Sequence, residues 1–167
     1  NGEFQLPLDG FIHADCPHYW KFGKEGENEE EFSKRMANNL EKLILEEGAD
    51  TIAGFVAEPV QGAGGVIPPS INYFDLIQPI LKKYDIPLVA DEVICGFGRT
   101  GNLWGCETYN IKPDIIISSK CLTAGYFPMG AVIVNKDFAD EFTSVSEDAE
   151  EFPHRFTAGG HLVGCAI

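Results

Sequence analysis

Three short polar segments carry the side chains that could take part in acid–base or nucleophilic chemistry. They are residues 58–61 (EPVQ), 91–93 (DEV) and 118–120 (SSK), and an apolar run precedes each of them. Asp91 and Lys120 are the most informative pair, because a carboxylate and an amine held close together can reach the same small molecule. Taken singly, each has an ordinary structural explanation, since a carboxylate after a strand accepts loop N–H bonds and a lysine there points into water. Whether the two meet depends on the elements that carry them.

Apolar periodicity predicts those elements. Phe32, Met36 and Leu40 recur at helical spacing, which predicts an amphipathic helix from Glu29 to Glu47 that Gly48 ends. Further helices are predicted at residues 71–84, 136–142 and from 162 onward, and strands at the apolar runs 52–57, 86–90, 114–118 and 129–134. The first strand is apolar throughout, so it is expected to be covered on both faces.

This alternation predicts an α/β fold in which helices flank a mainly parallel sheet. In such sheets the ligand crevice lies at the carboxyl ends of the strands. Neighbouring strands lie about 4.8 Å apart. Asp91 and Lys120, at the ends of two predicted strands, are therefore expected to face one small-molecule site.

Composition excludes several other classes of function. The 167 residues include 26 acidic and 12 basic side chains, a net charge of −14, which argues against nucleic acid or an anionic membrane as a partner. No apolar run approaches the ~20 residues needed to cross a bilayer.

The cysteines favour a reducing, cytoplasmic location. Five cysteines at irregular spacing indicate neither a disulfide framework nor a structural zinc site, and each is predicted to be a small buried apolar side chain. His13, Cys16 and His18 match no standard zinc pattern, so no metal site is predicted.

A glycine-rich segment imitates a dinucleotide site. Residues 96–101 match GxGxxG and follow a strand, but residues 91–95 intervene and residues 102–105 are a poor opening for a packed helix. The acidic residue expected about 20 positions later is also missing. We therefore reject a dinucleotide site here.

The sequence VADEVICGFGRTG at residues 89–101, followed by Lys120, resembles the central signature of class III aminotransferases, which are pyridoxal-phosphate enzymes of fold type I. EPVQGAGG at 58–65 and FTAGGH at 156–161 support the resemblance in the family's order. The resemblance implies that residues 1–167 form one partial domain, the central part of the large cofactor-binding domain. The N-terminal part and the C-terminal small domain are expected to be absent, and the isolated chain is expected to be inactive.

The resemblance assigns the chemistry to two residues. Lys120 would form a Schiff base with pyridoxal 5'-phosphate, which an amine can do only when deprotonated, and would then carry a proton between substrate and cofactor. Asp91 would pair with the pyridine nitrogen and keep it protonated. Val93, two residues further along an extended chain, would point to the same side and pack on the ring.

Other residues are assigned to the cofactor by the same resemblance. Gln61 and Ile94 would lie near it, and Thr157 would reach the phosphate bound by the neighbouring subunit, which implies a homodimer. Ala63 stands where members acting on 4-aminobutyrate or ornithine commonly carry a glutamate, which favours pyruvate over 2-oxoglutarate as the amino acceptor. Cys121 replaces a small residue, often glycine, and Arg99 is expected to be structural.

The function implied is ping-pong transfer of an amino group from an ω-amino acid or amine to a keto acid, pyruvate being the favoured one. Aminomutases, racemases and dialkylglycine decarboxylases of the same fold carry the same lysine and aspartate and stay open as alternatives. A non-catalytic α/β module that binds partners through its acidic helices is an alternative of a different class. Lys120 and Asp91 together argue against that module, which has no use for them at one sheet edge.

Overall fold

The computed structural model describes residues 9–145 and 157–166, and it confirms the predicted α/β fold. The helices are α1 (Tyr19–Phe22), α2 (Glu29–Glu47), α3 (Tyr73–Lys83), α4 (Gly105–Thr108), α5 (Lys136–Val145) and α6 (Leu162–Ala166). The strands are β1 (Phe55–Ala57), β2 (Leu88–Asp91), β3 (Ile115–Ser118) and β4 (Ala131–Val134). Helix α2 has the predicted bounds, whereas each strand begins one to three residues later than its apolar run.

The strands form one sheet in the order β1-β2-β3-β4. Strands β1 and β2 pair in parallel, as do β2 and β3, whereas β3 and β4 are antiparallel. The mainly parallel sheet is thus confirmed. The carboxyl ends of the three parallel strands meet at one edge, where residues 58–61, 91–93 and 118–120 follow them.

Helices α2 and α3 cover one face of the sheet. Phe32 of α2 and Ile77 of α3 are fully buried, and Leu88 and Ala90 of β2 join the same core. Burying a large apolar side chain of this kind stabilises the fold by roughly 1.5–3 kcal/mol. The covered face is therefore the rigid support on which the strand ends are held.

Helix α2 begins where its sequence provides a cap. The side chain of Asn28 accepts a hydrogen bond from the backbone N–H of Glu31, and the Glu31 carboxylate accepts one from the N–H of Asn28. This reciprocal pair satisfies two N–H groups that the helix itself leaves unpaired. The cap fixes the start of the longest described helix on the core.

The opposite face of the sheet is open in the described part of the chain. Val56 of β1 is 57% exposed and Val132 of β4 is 69% exposed. The prediction that the first strand is covered on both faces is therefore wrong for the described residues, because α2 and α3 both pack on the same side. Side chains alternate along a strand, so Asp91 lies on the open face when Leu88 and Ala90 are in the core.

The cysteines divide into two groups. Cys95 and Cys106 are buried as predicted, but Cys16 and Cys121 are half-buried and Cys165 is exposed, so the uniform prediction is wrong for these three. All five thiols are free. None of the helices described is long and apolar enough to span a membrane.

Candidate active site

Asp91 is the last residue of β2, and its carboxylate is held at one oxygen. The backbone N–H of Val93 donates to Asp91 Oδ1 over 3.0 Å. No hydrogen bond among the described residues occupies Asp91 Oδ2. The side chain is half-buried on the open face, so one carboxylate oxygen is fixed and the other is available to a ligand.

Lys120 lies two residues beyond the end of β3, the strand next to β2. It opens a short 3₁₀ helix, Lys120–Leu122, with φ of 42°, which is unusual for a residue with a side chain. Its side chain is exposed. Asp91 pairs with Ile117 across the two strands, so Asp91 and Lys120 follow neighbouring strands at one edge of the sheet. That they face one small-molecule site stays a prediction.

Gln61 and Ile94 lie on two segments that pack together through Gly62. The carboxylate of Glu58 accepts the backbone N–H of Gly62 at 2.9 Å, and Gln61 bridges to Ile67 to close a small loop. A Cβ on Gly62 would lie 2.8 Å from Ile94 Cγ2, so a side chain at position 62 would require Ile94 to shift. The loop after β1 and the turn after β2 are therefore in close contact at Gly62.

Cys16 adds a third segment to this neighbourhood. Its thiol donates to Gln61 Oε1 over 3.4 Å, within the range of a hydrogen bond that involves sulfur. The contact orients the side-chain amide of Gln61. Sequence patterns gave no reason to pair these residues, because 45 positions separate them.

Val93 reaches the neighbourhood of Asp91 in a different way from the one predicted. Strand β2 ends at Asp91 and residues 93–100 form turns, so the expected extended geometry through Val93 is wrong. The Asp91 side chain accepts the Val93 N–H, and that hydrogen bond favours a turn over an extended strand. The assignment of Val93 to the cofactor remains a prediction that now rests on this turn.

Thr157 is exposed at the start of a turn, residues 157–160. The following segment packs on the loop between Lys120 and β4: the ring of His161 lies 5.1 Å from that of Phe127, and Gly164 is in close contact with Phe127 and Met129. No described contact joins Thr157 to Asp91 or Lys120. Its role toward a neighbouring subunit stays a prediction.

Glu92 is the main polar residue that the sequence reasoning left without a role. Its side chain is fully buried, and its two oxygens accept the backbone N–H groups of Gly105 at 2.9 Å and Cys106 at 2.7 Å. Strand parity could have found it. Leu88, Ala90 and Glu92 alternate onto the core face, where a carboxylate requires partners.

The pKa of the Cys95 thiol reflects the acidic side chains around it. Burial raises the pKa of its thiol, and the charges of Glu92, Glu58 and Asp91 raise it further. Burial and the hydrogen bond with Glu92 likewise raise the pKa of the Cys106 thiol. Three carboxylates therefore lie close enough to influence one thiol, which places the ends of β1 and β2 in one electrostatic environment.

Arg99 links the glycine-rich loop to the lysine turn. Its Nη2 atom lies 3.1 Å from the sulfur of Cys121, the residue after Lys120. This contact agrees with the structural role expected of Arg99. In the described residues no group of three or more histidine, cysteine or acidic side chains is arranged to hold a metal ion.

Comparison with known proteins defines the class. The chain is 65% identical to an omega-aminotransferase of Paracoccus denitrificans, with a TM-score of 0.90 over 93% of this chain and 35% of that one. It is 63% identical to a PLP-bound aminotransferase mutant from Vibrio fluvialis, with a TM-score of 0.91 over 95% of this chain and 35% of that one. The fold is thus that of PLP-dependent omega-aminotransferases.

The family follows from the sequence. The family model Aminotransferase class-III matches residues 4–167, and the chain belongs to that family. Gamma aminobutyrate transaminase 3, chloroplastic, of Solanum lycopersicum is 58% identical over 165 residues, which are 99% of this chain and 32% of that protein. The chain therefore spans about a third of the length of the relatives it matches.

Proposed function

We propose that the full-length protein containing this chain is a pyridoxal-phosphate-dependent aminotransferase. It moves an amino group from an ω-amino acid or amine to a keto acid, for which pyruvate is our proposal. The observation that carries the proposal is the placement of Asp91 and Lys120 at the carboxyl ends of two neighbouring parallel strands.

The residues present suit the cofactor. Asp91 offers one unoccupied carboxylate oxygen on the open face of the sheet, and Lys120 offers an exposed amine one strand away. Bound there, pyridoxal phosphate supplies a protonated pyridine ring that withdraws electrons from the reacting carbon. Relatives support this choice, since the Vibrio fluvialis mutant is described as PLP-bound.

Each residue has a separate task in this scheme. The backbone N–H of Val93 holds Asp91 Oδ1 and so fixes the carboxylate. Asp91 would then hold the pyridine nitrogen of the cofactor and balance its positive charge. Lys120, when deprotonated, would hold the cofactor through its carbonyl carbon and would move a proton at the substrate carbon. Gln61 and Ile94 form the adjoining wall, because their segments pack through Gly62.

The reaction balances over two halves. In the first half the donor loses its amine and a hydrogen, gains an oxygen from water and becomes a carbonyl compound. In the second half pyruvate gains the amine and a hydrogen, releases its keto oxygen as water and becomes alanine. The competing reactions of the same fold, those of an aminomutase, a racemase or a dialkylglycine decarboxylase, use the same lysine and aspartate. They differ in giving no net exchange (mutase, racemase) or in releasing carbon dioxide.

We also propose how the protein assembles and where in the cell it is located. We place Thr157 at the phosphate of a neighbouring subunit's cofactor in a homodimer, which is consistent with its exposure. Residues 1–167 would be the central part of the large domain, in line with the share of the relatives that they cover. The free cysteines suit the reducing cytoplasm, although the tomato relative is chloroplastic by name.

The test uses the full-length protein with pyridoxal phosphate, an ω-amino donor and pyruvate. We expect alanine to form in step with loss of the donor, and Lys120→Ala to abolish its formation. Lys112→Ala is the matched control, because Lys112 is another exposed lysine at the opposite end of β3, and it should leave the rate unchanged. Donor conversion without alanine would favour the mutase or racemase. Turnover unaffected by Lys120→Ala would contradict the proposal. A wild type that neither takes up the cofactor nor turns over substrate would favour the binding module.

A further inference from the structure

Glu92 is a fully buried carboxylate directly after Asp91. Removing a carboxylate from water is strongly unfavourable unless it is hydrogen-bonded. The N–H groups of Gly105 and Cys106 meet this need at 2.9 and 2.7 Å, and such bonds to a charged oxygen are among the stronger ones. We call this arrangement the Glu92 clamp: the Glu92 carboxylate with the N–H groups of Gly105 and Cys106.

The backbone of Glu92 is used as fully as its side chain. Its N–H donates to the carbonyl of Ile117 at 2.9 Å, which continues the pairing of β2 with β3 one step beyond Asp91. Its carbonyl accepts the N–H of Gly96 at 2.8 Å and closes the turn that follows. One residue therefore joins the end of β2, the end of β3, the turn and helix α4.

Two routes lead from Glu92 to the lysine turn. The first is the bond to Ile117, which lies three residues before Lys120 on the same strand end. The second runs through the loop that the clamp closes at both ends, since Arg99 in that loop contacts Cys121 at 3.1 Å. Both routes end beside Lys120, and both begin at Glu92, which directly follows Asp91 in the chain.

We propose that Glu92 is a positioning residue that holds Asp91 and Lys120 in their relative places. The inference rests on the proposed function, which needs both groups on one cofactor. Displacing a reacting group by about 1 Å can cost roughly a hundredfold in rate. The Glu92 carboxylate anchors the residue to helix α4. Its backbone N–H binds Ile117 at the end of β3, so the anchored residue holds both strand ends against that displacement.

The test compares Glu92→Gln with Glu107→Gln in the full-length protein. A glutamine offers one acceptor oxygen where the clamp uses two, and its NH₂ group would face a backbone N–H. Glu107 is the matched control, because its carboxylate accepts the N–H of Trp104 at 3.2 Å on the exposed side of the same short helix. Neither substitution changes side-chain size appreciably.

The first readout needs no cofactor. Hydrogen exchange in the cofactor-free protein should rise in Glu92→Gln both at residues 93–106 and at residues 117–122. In Glu107→Gln, residues 117–122 should exchange as in the wild type. A role confined to folding of the clamp would raise exchange at residues 93–106 alone.

The second readout uses the loaded enzyme. We expect Glu92→Gln to lower kcat by roughly ten- to a hundredfold while KM for the donor changes by less than about threefold. The pH at which the visible band of the lysine-bound cofactor changes should move as well. Glu107→Gln should match the wild type in kcat, in KM and in the pH at which the band changes.

Exchange that rises only at residues 93–106, with unchanged kcat, would overturn the proposal. If Glu92→Gln fails to fold, Glu92→Asp, which keeps the charge and both oxygens, is measured instead. Absence of folded protein for both variants would assign Glu92 to folding alone and also overturn the proposal. A wild type without a visible band or turnover would contradict the proposed function instead. Hydrogen exchange would still show whether Glu92 couples residues 93–106 to residues 117–122.

Discussion

Gly105→Ala should loosen the attachment of helix α4 beneath the site. A Cβ at this position would lie 2.7 Å from Cys95 Cβ and 2.9 Å from Pro59 Cβ, and both atoms are fixed to the backbone or a ring. Overpacking of this kind costs about 1–3 kcal/mol. Moving the Gly105 N–H away from the Glu92 carboxylate costs about 1.5–3 kcal/mol more, whereas alanine regains up to about 1 kcal/mol of helix propensity.

The sum is a local destabilisation of about 1.5–5 kcal/mol, most of it at the clamp. Since about 1.4 kcal/mol is a factor of ten, amide exchange at residues 105–109 of the full-length protein should rise roughly tenfold or more. Gly130→Ala is the control, because its nearest neighbour would be Ser118 O at 3.5 Å, an ordinary contact. Exchange in Gly105→Ala within threefold of the wild type would refute the tight packing on which this reasoning depends.

Three further predictions concern charge and burial. Asp91→Asn removes the charge that balances the pyridine N–H, so the half-reaction with an amino donor, followed by stopped-flow absorbance, should slow by on the order of a hundredfold; a wild-type rate would contradict that role. Burial raises the pKa of the Cys95 and Cys106 thiols, so iodoacetamide at pH 8 should label neither in the native protein but both after unfolding, as mass spectrometry would show. The hydrogen bond from Arg35 lowers the pKa of Glu27 from 4.5 to about 2, so its stabilising effect is complete above 4.5 and is lost as the pH falls toward 2. The thermal midpoint of the wild type should therefore exceed that of Glu27→Gln at pH 6 and approach it on acidification, and a constant difference would argue against the pair.

The sequence was sufficient for features that depend on local pattern. The bounds of α2 were predicted from helical spacing and the stop at Gly48, and the structure adds the cap at Asn28. The placement of Asp91 and Lys120 at one edge of the sheet followed from parallel strands, whose carboxyl ends share an edge. Their positions in the fold were therefore predictable, whereas their roles remain proposals.

Features that depend on tertiary contacts could not be predicted from the sequence. The turn at Val93 arises from a side-chain hydrogen bond that overrides the extended pattern of β2, and Cys16 meets Gln61 across 45 positions. Val56 is exposed because α2 and α3 pack on the same side of the sheet, which an apolar run cannot reveal. Glu92 was missed although a signal was present, since its parity with Ala90 could have placed a carboxylate in the core.

The most direct test of the central claim is the site of cofactor attachment. The full-length protein is loaded with pyridoxal phosphate, its visible spectrum is recorded, and it is reduced with borohydride and mapped by peptide mass spectrometry. We predict a visible band that Lys120→Ala abolishes and a reduced adduct on the peptide containing Lys120. No band, or an adduct on another lysine such as Lys112, would contradict the account.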